Sequence, residues 1–133
     1  MIQSEREAVE AVKQKAIKWI WVTFQRPGFH RYPSASTESR LKDVAYLGEK
    51  HRHLFKFNVQ LEVFHNDREL EFHQVLNYCE SLVDSVIDID HKSVEMLADD
   101  LYLHLSSKYP NRDMKINISE DGECGCIIEY NKH

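Results

Sequence analysis

The chain has 133 residues, with 17 Lys and Arg against 22 Asp and Glu, 8 His, and a net charge of -5 when the histidines are neutral. This length suits one domain with a hydrophobic core, and 42% hydrophobic residues with only 4 Gly and 3 Pro are typical of a folded chain. The acidic balance argues against non-specific nucleic-acid binding, which depends on clustered Lys and Arg.

The sequence also bears on the cellular compartment. No segment contains the roughly 20 apolar residues that a membrane-spanning helix needs, and the first 15 residues are too charged for a signal peptide. Cys79, Cys124 and Cys126 form neither an even disulfide set nor the paired motif of a zinc ribbon. We therefore expect a cytoplasmic protein with free thiols and no membrane partner.

The first third of the chain predicts a helix, a strand and a long loop. Apolar residues recur at helical spacing over residues 4–16, with Ser4 three residues before Glu7 as in a capping box. Residues 17–25 are rich in β-branched and aromatic side chains, and the breakers Pro27 and Gly28 follow, so a strand is expected to end there. Residues 29–49 are polar and irregular, which favours a functional loop.

The middle of the chain predicts one strand and two amphipathic helices. Apolar and polar residues alternate from Phe55 to Val63, which is typical of a strand with one buried face. Apolar residues then recur at helical spacing over residues 72–86 and again over residues 94–105, where Ser93 can cap the second helix. Residues 87–92, between the two helices, are interpreted as a break.

The end of the chain completes the predicted architecture. Residues 114–119 and 123–130, with an Asp-Gly turn at Asp121 and Gly122 between them, are expected to be two strands of a hairpin or a loosely joined pair. The order strand, strand, helix, helix, strand, strand favours an α+β domain, in which both helices pack on one face of an antiparallel sheet. No linker, repeat or low-complexity segment divides residues 1–133, so we expect a single domain with an N-terminal helical extension at 4–16.

The motif His51-Arg52-His53 is the sharpest candidate site. Side chains at i and i+2 of a strand point to the same side, so the two imidazoles project together, in line with Phe55. Two such histidines can be adjacent ligands of a tetrahedral Zn²⁺, and a third, for which His30 is the candidate, would leave one position open. The alternative is a hydrogen-bonded histidine pair at a strand end, because H-x-H is a short pattern.

Two further segments carry groups suited to chemistry. Asp90 precedes His91, and a carboxylate beside an imidazole can tune it for acid–base work. Adjacent side chains usually point apart, however, so the alternative is a helix start beside a surface histidine. Residues 119–123 form an acidic run, for which the alternative is a solvated turn.

The remaining cysteines and tryptophans give weaker signals. Cys124 and Cys126 could ligate a metal, but a single C-x-C without a partner pair is a weak motif. Trp19 and Trp21 share one strand face, which favours packing in the core or between subunits.

Taken in order, these features resemble the 6-pyruvoyl tetrahydropterin synthase and 6-carboxytetrahydropterin synthase family, whose subunits have the tunnelling fold. The resemblance covers about residues 22–130, and five segments carry it in the family's order. They are His51-Arg52-His53 with the upstream His30 (similar to the H-G-H metal motif), Arg68 to Phe72 (the start of the first helix), Ile89-Asp90-His91 (L-D-H), Ser93 to Met96 (P-T-x-E-N), and Ser119-Glu120 (E-T).

The resemblance implies a fold, a metal and an assembly. The fold would be a four-stranded antiparallel sheet of order ββααββ with two helices on one face. The metal would be Zn²⁺, held by His30, His51 and His53. In the family the sites lie between subunits, so the resemblance implies a homo-oligomer, a trimer or a hexamer.

The resemblance also implies roles in catalysis and substrate binding. Asp90 and His91 would relay protons, and Glu120 would accept hydrogen bonds from the 2-amino-pyrimidinone edge of a pterin or guanine-like ring. Arg52, which replaces the family's small Gly, could meet a phosphate. A departure from the pattern is Leu47, which stands where the synthases have a catalytic Cys four residues before the H-G-H motif.

Three functions therefore remain open from the sequence. The first is a zinc-dependent lyase or isomerase that acts on a pterin or on dihydroneopterin triphosphate. The second is a binding module that has lost the chemistry and holds a pterin, purine or nucleotide. The third is an oligomeric scaffold in which the histidines only pack.

Overall fold

Residues 2–132 are described by a computed structural model, in which helices pack against a five-stranded sheet. The elements, in chain order, are α1 (Gln3–Lys15), β1 (Lys18–His30), β2 (His51–Val63), α2 (Phe72–Ser81), β3 (Ile87–Asp90), α3 (Val94–Lys108), β4 (Met114–Glu120) and β5 (Cys124–Tyr130). Two 3₁₀ segments, Pro33–Ser36 and Ser39–Gly48, occupy the stretch expected to be an irregular loop.

The sheet has the strand order β3-β1-β2-β4-β5. Every neighbouring pair is antiparallel except β1 and β3, which are parallel. The α+β class with a mostly antiparallel sheet is as predicted, whereas the count of four strands is wrong. The fifth strand, β3, lies in the stretch interpreted as a break, and its four residues are too few to show a strand pattern in the sequence.

The core lies between the sheet and the two later helices. The strictly alternating residues of β2 form its central row, and all five predicted apolar positions there are buried. The predicted stripe of α3 is likewise buried at each position (Val94, Leu97, Ala98, Leu101 and Leu105). Ser93 caps α3, because its Oγ accepts a hydrogen bond from the backbone N–H of Met96 at 3.2 Å.

Strand β1 continues through Pro27 and Gly28 to His30, five residues past its predicted end. Pro27 fits because only β2 flanks this part of β1, and β3 begins its pairing at Gly28, so no second strand requires the missing N–H. Gly28 fits because any Cβ there would overlap the side chain of Ile87 on β3 and lie 2.6 Å from its carbonyl oxygen. The two breakers therefore permit the close approach of β3.

The sequence predicts the turn near the C-terminus correctly but not the cap of the N-terminal helix. At the N-terminus α1 begins at Gln3, and Ile2 occupies the N-cap position without a side-chain cap, so the expected Ser4 capping box is wrong. At the other end, β4 and β5 form a hairpin, which is one of the two arrangements expected there. Asp121 and Gly122 both have positive φ, 61° and 73°, as a type I′ turn requires.

None of the helices within residues 2–132 combines the length and apolar character needed to cross a membrane. Cys79, Cys124 and Cys126 are free thiols, as the sequence predicts. Burial raises the pKa of the Cys79 thiol to about 12, so this side chain is an inert part of the core.

Candidate metal centre

Strand register brings the three candidate zinc ligands together. In the β1–β2 pair, His30 lies directly opposite His51, and Gly28 lies opposite His53. Because alternate residues of a strand share a face, all three imidazoles extend the core-facing row of β2 beyond Phe55. The local pattern predicts the pairing of His51 with His53, while only the antiparallel register adds His30.

The three rings form a compact cluster. Their centroids are 4.6 Å (His30–His51), 5.0 Å (His30–His53) and 4.9 Å (His51–His53) apart. One ring nitrogen of each lies within 4.8 Å of one ring nitrogen of the other two. Burial is the largest influence on the pKa of His30, which it lowers, so this imidazole favours the neutral form that a metal ligand requires.

Two of the imidazoles are oriented by acceptors outside the cluster. His51 Nδ1 lies 2.7 Å from the carbonyl oxygen of Glu49, and His53 Nδ1 lies 2.7 Å from Oδ2 of Asp121. A carbonyl oxygen and an ionised carboxylate can only accept, and backbone hydrogen bonding to Leu54 lowers the pKa of Asp121. Both Nδ1 atoms therefore donate, so Nε2 is the nitrogen that each neutral ring can offer to a metal ion.

This arrangement fits a zinc ion. Zinc-bound histidines usually donate their outer N–H to a carbonyl or carboxylate, as His51 and His53 do here. Nε2 of His53 is buried and makes no hydrogen bond, and it lies 2.9 Å from Oε2 of Glu120. Within residues 2–132 this triad is the group of three or more ligand side chains that could hold a metal ion, and Cys124 and Cys126 belong to no such group.

Glu120 lies at the same cluster. It is paired with Phe55 across the β2–β4 ladder, which gives its side chain the face of the histidines. Its Oε2 is 2.9 Å from Nε2 of His53 and 3.6 Å from Nε2 of His30. The carboxylate predicted to hold a ligand ring is thus in direct contact with the candidate zinc ligands.

The parallel strand β3 brings the second predicted feature to the triad. Asp90, at its end, pairs with His30 in the ladder. The Asp90 carboxylate accepts a hydrogen bond from Nε of Arg31 at 2.7 Å, and its Oδ2 lies 3.3 Å from Nδ1 of His91. The hydrogen bond from Arg31 is the main reason that the pKa of Asp90 falls to about 2, so this carboxylate stays ionised at neutral pH.

A cleft of about 420 Å³ connects these groups. It lies between the end of β1 and the start of α3, and its walls include His30, Glu120, His91 and Glu95. The cleft therefore combines one histidine of the cluster, His30, with an exposed imidazole and two carboxylates, which is the mixture of groups that a polar small molecule requires.

Two other predicted positions lie away from the cleft wall. Arg52 is exposed and lies between His51 and His53 on β2, so its side chain projects to the opposite face of the sheet. Leu47 is half-buried near the end of the second 3₁₀ segment, where its carbonyl oxygen accepts a hydrogen bond from the N–H of Tyr32 at 2.7 Å. Its side chain supplies no nucleophile or base.

Three residues of this region were missed by the sequence reasoning. From the sequence, Asp121 reads as part of an acidic turn, Arg31 as part of a loop, and Glu95 only as part of a motif at a helix start. Asp121 and Arg31 contact partners that are distant in sequence, and Glu95 reaches the site only as part of the cleft wall, so no local spacing identifies them. The one usable signal for Asp121 is its place directly after Glu120, where a tight turn returns the chain to the histidine strand.

Comparison with known proteins bears on the fold. No protein-family model and no curated protein matches the sequence. Among solved structures, the chain is similar to the 6-pyruvoyl tetrahydropterin synthase of Caenorhabditis elegans, with a TM-score of 0.60 and 17% sequence identity. The match covers 89% of this chain and 97% of that chain.

The chain has the tunnelling fold. At 17% identity the likeness concerns the fold alone. The mostly antiparallel sheet of the tunnelling fold, with helices on one face, is the architecture that the family resemblance predicted, enlarged by the short strand β3.

Proposed function

We propose that this protein binds Zn²⁺ through His30, His51 and His53 and acts on a pterin or a dihydroneopterin triphosphate-like substrate. It would be a protein similar to 6-pyruvoyl and 6-carboxytetrahydropterin synthases. The observation that carries the proposal is the three-histidine cluster, with two Nδ1 atoms held by outer acceptors, in a tunnelling fold.

The residues of the cleft support this chemistry. Bound Zn²⁺ with three neutral imidazoles would keep its positive charge and polarise an oxygen of the ligand. His91 is exposed in the cleft wall and is the group available to accept or return a proton, with the ionised Asp90 3.3 Å from its Nδ1. The adjacent amino and N–H donors of a pterin edge match a carboxylate, for which the cleft offers Glu120 and Glu95.

A second candidate function is a binding module without catalysis. Two features favour it. Arg31 pairs with the carboxylate of Asp90, which is one of the two residues proposed to relay protons, and Leu47 provides no thiol where the synthases have a catalytic Cys. Such a module would use the same cleft and metal to hold a pterin, purine or nucleotide. Arg52 is a proposed phosphate contact in either case, supplied to the cleft of a neighbouring copy because it lies on the opposite face of its own sheet.

We also propose that the protein is a homo-oligomer, a trimer or a hexamer, in the cytoplasm. The helix-free face of the sheet carries exposed apolar side chains, with Trp21 62% and Ile127 70% exposed, and β5 lies at an open edge. Open edges and such side chains favour association. Light scattering coupled to size exclusion tests this directly, and a monomeric mass at micromolar concentration would contradict it.

The experiment that tests the function begins with the metal. Elemental analysis of the purified protein is expected to give about one zinc per chain, with loss of zinc in His51→Ala. The matched control is His104→Ala, which removes an exposed histidine on α3 and is expected to retain the metal.

Ligand experiments then separate the two candidate functions. Zinc-loaded protein is titrated by calorimetry with dihydroneopterin triphosphate, a pterin and a guanine nucleotide, and turnover of the triphosphate is followed by chromatography. Turnover would support the enzyme, and binding without turnover would support the module. Absence of zinc and of binding would refute both and leave the histidines as packing residues.

A further inference from the structure

Strand β3 is irregular where it reaches the cleft. In its ladder with β1, Asp88 pairs with Phe29 and Asp90 pairs with His30, so Ile89 is an extra residue between two paired positions. Extra residues of this kind re-aim the side chains beside them and are common next to active sites. The end of β3 is therefore a place where side-chain direction is set by local backbone geometry.

A tight turn follows this irregularity and carries His91. Asp90 has a φ of 50°, in the left-handed region that is unfavourable for most residues and tolerated by Asp. The N–H of Lys92 donates to the carbonyl oxygen of Ile89 at 2.9 Å and closes the turn. Backbone in this region persists where neighbouring groups hold it, so the groups that hold Asp90 also determine the direction of His91.

Asp88 is one of the groups that hold the turn. Its Oδ1 accepts a hydrogen bond from the backbone N–H of Asp90 at 3.0 Å, the pattern by which an Asp two residues upstream stabilises a turn. We infer that Asp88 is a positioning residue, which holds the left-handed turn at Asp90 and thereby aims His91 into the cleft. This inference rests on the proposed function, in which His91 accepts or returns a proton.

Lys50 fixes the carboxylate of Asp88 from the other side. Its Nζ donates to Oδ2 at 2.6 Å, and Lys50 directly precedes His51, the first residue of β2. This hydrogen bond is the main cause of the lowered pKa of Asp88, so the carboxylate stays ionised at neutral pH. Asp88 therefore connects the strand that carries two of the candidate zinc ligands to the turn that carries His91.

Two exposures indicate that this connection serves geometry more than stability. The side chains of Lys50 and Asp88 are 56% and 49% exposed, and ion pairs this exposed add little to the stability of a fold. The side chain of His91 is 64% exposed, so little packing fixes it and its position depends on the backbone turn. A misplacement of about 1 Å in a catalytic group can cost about a hundredfold in rate.

Two variants and a control separate the turn from the ion pair. Asp88→Ala removes both hydrogen bonds of the carboxylate, whereas Asp88→Asn removes the charge and keeps an oxygen that can accept the N–H of Asp90. The control is Asp84→Ala, because Asp84 is exposed shortly before β3 and its substitution removes the same charge. If only the ion pair mattered, Asp88→Asn would behave like Asp88→Ala.

The first measurement follows the turn itself. Amide hydrogen exchange, observed by NMR, is expected to be about two- to tenfold faster at Asp90 in Asp88→Ala, the factor that corresponds to one hydrogen bond. Asp88→Asn and Asp84→Ala are expected to exchange like the unmodified protein. An unchanged rate in Asp88→Ala would overturn the inference, whether or not the protein is an enzyme.

The second measurement is turnover of dihydroneopterin triphosphate by the zinc-loaded protein. In Asp88→Ala, kcat is expected to fall at least about tenfold, while KM and the Zn²⁺ affinity from chelator competition stay unchanged, and Asp88→Asn is expected to recover most of the lost kcat. Equal kcat in Asp88→Ala and the unmodified protein, or no recovery in Asp88→Asn, would overturn the inference. If the unmodified protein shows no turnover, the proposed catalytic function fails, and amide exchange alone decides whether Asp88 holds the turn.

Discussion

His53 lies near the start of β2 and Asp121 in the turn directly after β4, and the two are joined by a 2.7 Å contact between Nδ1 and Oδ2. The other oxygen of Asp121 accepts the backbone N–H of Leu54 at 2.7 Å, and its own N–H donates to the Leu54 carbonyl at 2.8 Å. The turn residue is thereby fixed on the histidine strand at three points. Its carboxylate determines which nitrogen of His53 is free to bind a metal.

Asp121→Asn is expected to weaken Zn²⁺ binding by about 10–100-fold, the usual cost of losing an outer-shell partner. If the amide oxygen keeps the Leu54 N–H, the amide NH₂ faces Nδ1 of His53 and favours the tautomer with its proton on Nε2. Chelator competition measures the affinity, and Asp43→Asn, at an exposed position, is the control. Unchanged affinity in Asp121→Asn would show that the tautomer of His53 is set by another group.

Arg31→Ala is expected to raise the pKa of Asp90 from about 2 toward the ordinary value of roughly 3.9, because the guanidinium is the main cause of the low pKa. A carboxyl with a lowered pKa stabilises the folded state above its unfolded pKa, and this contribution disappears as the pH falls through its folded pKa. The variant should therefore lose stability at neutral pH relative to the unmodified protein, and the difference should vanish toward pH 2.

The measurement is a carbon-13 NMR titration of the Asp90 carboxyl, with unfolding by urea at several pH values for the stability profile. Arg40→Ala is the control, since it removes an exposed guanidinium that pairs with Glu38 instead. A pKa of Asp90 that stays near 2 in Arg31→Ala would contradict the assignment of its cause.

Gly28→Ala is expected to destabilise the protein by about 1–3 kcal/mol, the usual cost of forcing extra volume into a packed site. Its new Cβ would overlap Ile87 and push β3 away from β1, and Asp90 and His91 would move with β3. The control is Gly122→Asn, because Asn tolerates a φ of 73° and its Cβ would meet only the flexible Lys56 side chain. Chemical denaturation measures both, and equal stability of the two variants would be contrary to this account.

Leu105→Ala is expected to lower the free energy of unfolding by about 2–5 kcal/mol, because Leu105 is fully buried between α3 and the sheet. Leu103→Ala, two residues along the same helix, is expected to change stability by less than about 0.5 kcal/mol, because Leu103 is 69% exposed. The free energies of unfolding in urea test the pair. If Leu103→Ala lost nearly as much free energy of unfolding as Leu105→Ala, this would indicate that another copy of the chain covers this face of α3.

The sequence predicted the features that follow from a local periodicity of apolar and polar residues. Alternation over residues 55–63 gave the central strand, the stripe from Val94 to Leu105 gave α3, and Asp121-Gly122 gave the final turn. These predictions succeed because the side-chain period of a strand or helix is set by its own backbone. The same two-residue period placed His51 and His53 on one face.

The sequence could not determine which distant segments meet. Strand β3 is too short to show an alternating pattern in the sequence. Pro27 and Gly28 are typical of a strand end, and only the tertiary structure shows that β1 continues through them and begins to pair with β3 at Gly28. The register of β1 on β2 adds His30 to the cluster, and the β4 turn adds Asp121. Pairings of this kind depend on packing between segments more than 20 residues apart, for which no local propensity exists.

The sequence by itself thus determined the α+β class, the main strands and helices, and a pair of histidines aimed to one side. Only the tertiary structure decided that His30, Glu120 and Asp121 join that pair and that Arg31 binds the carboxylate of Asp90. The physical reason is that periodicity fixes the direction of a side chain, while its partner is fixed by strand register and by the close approach of backbones.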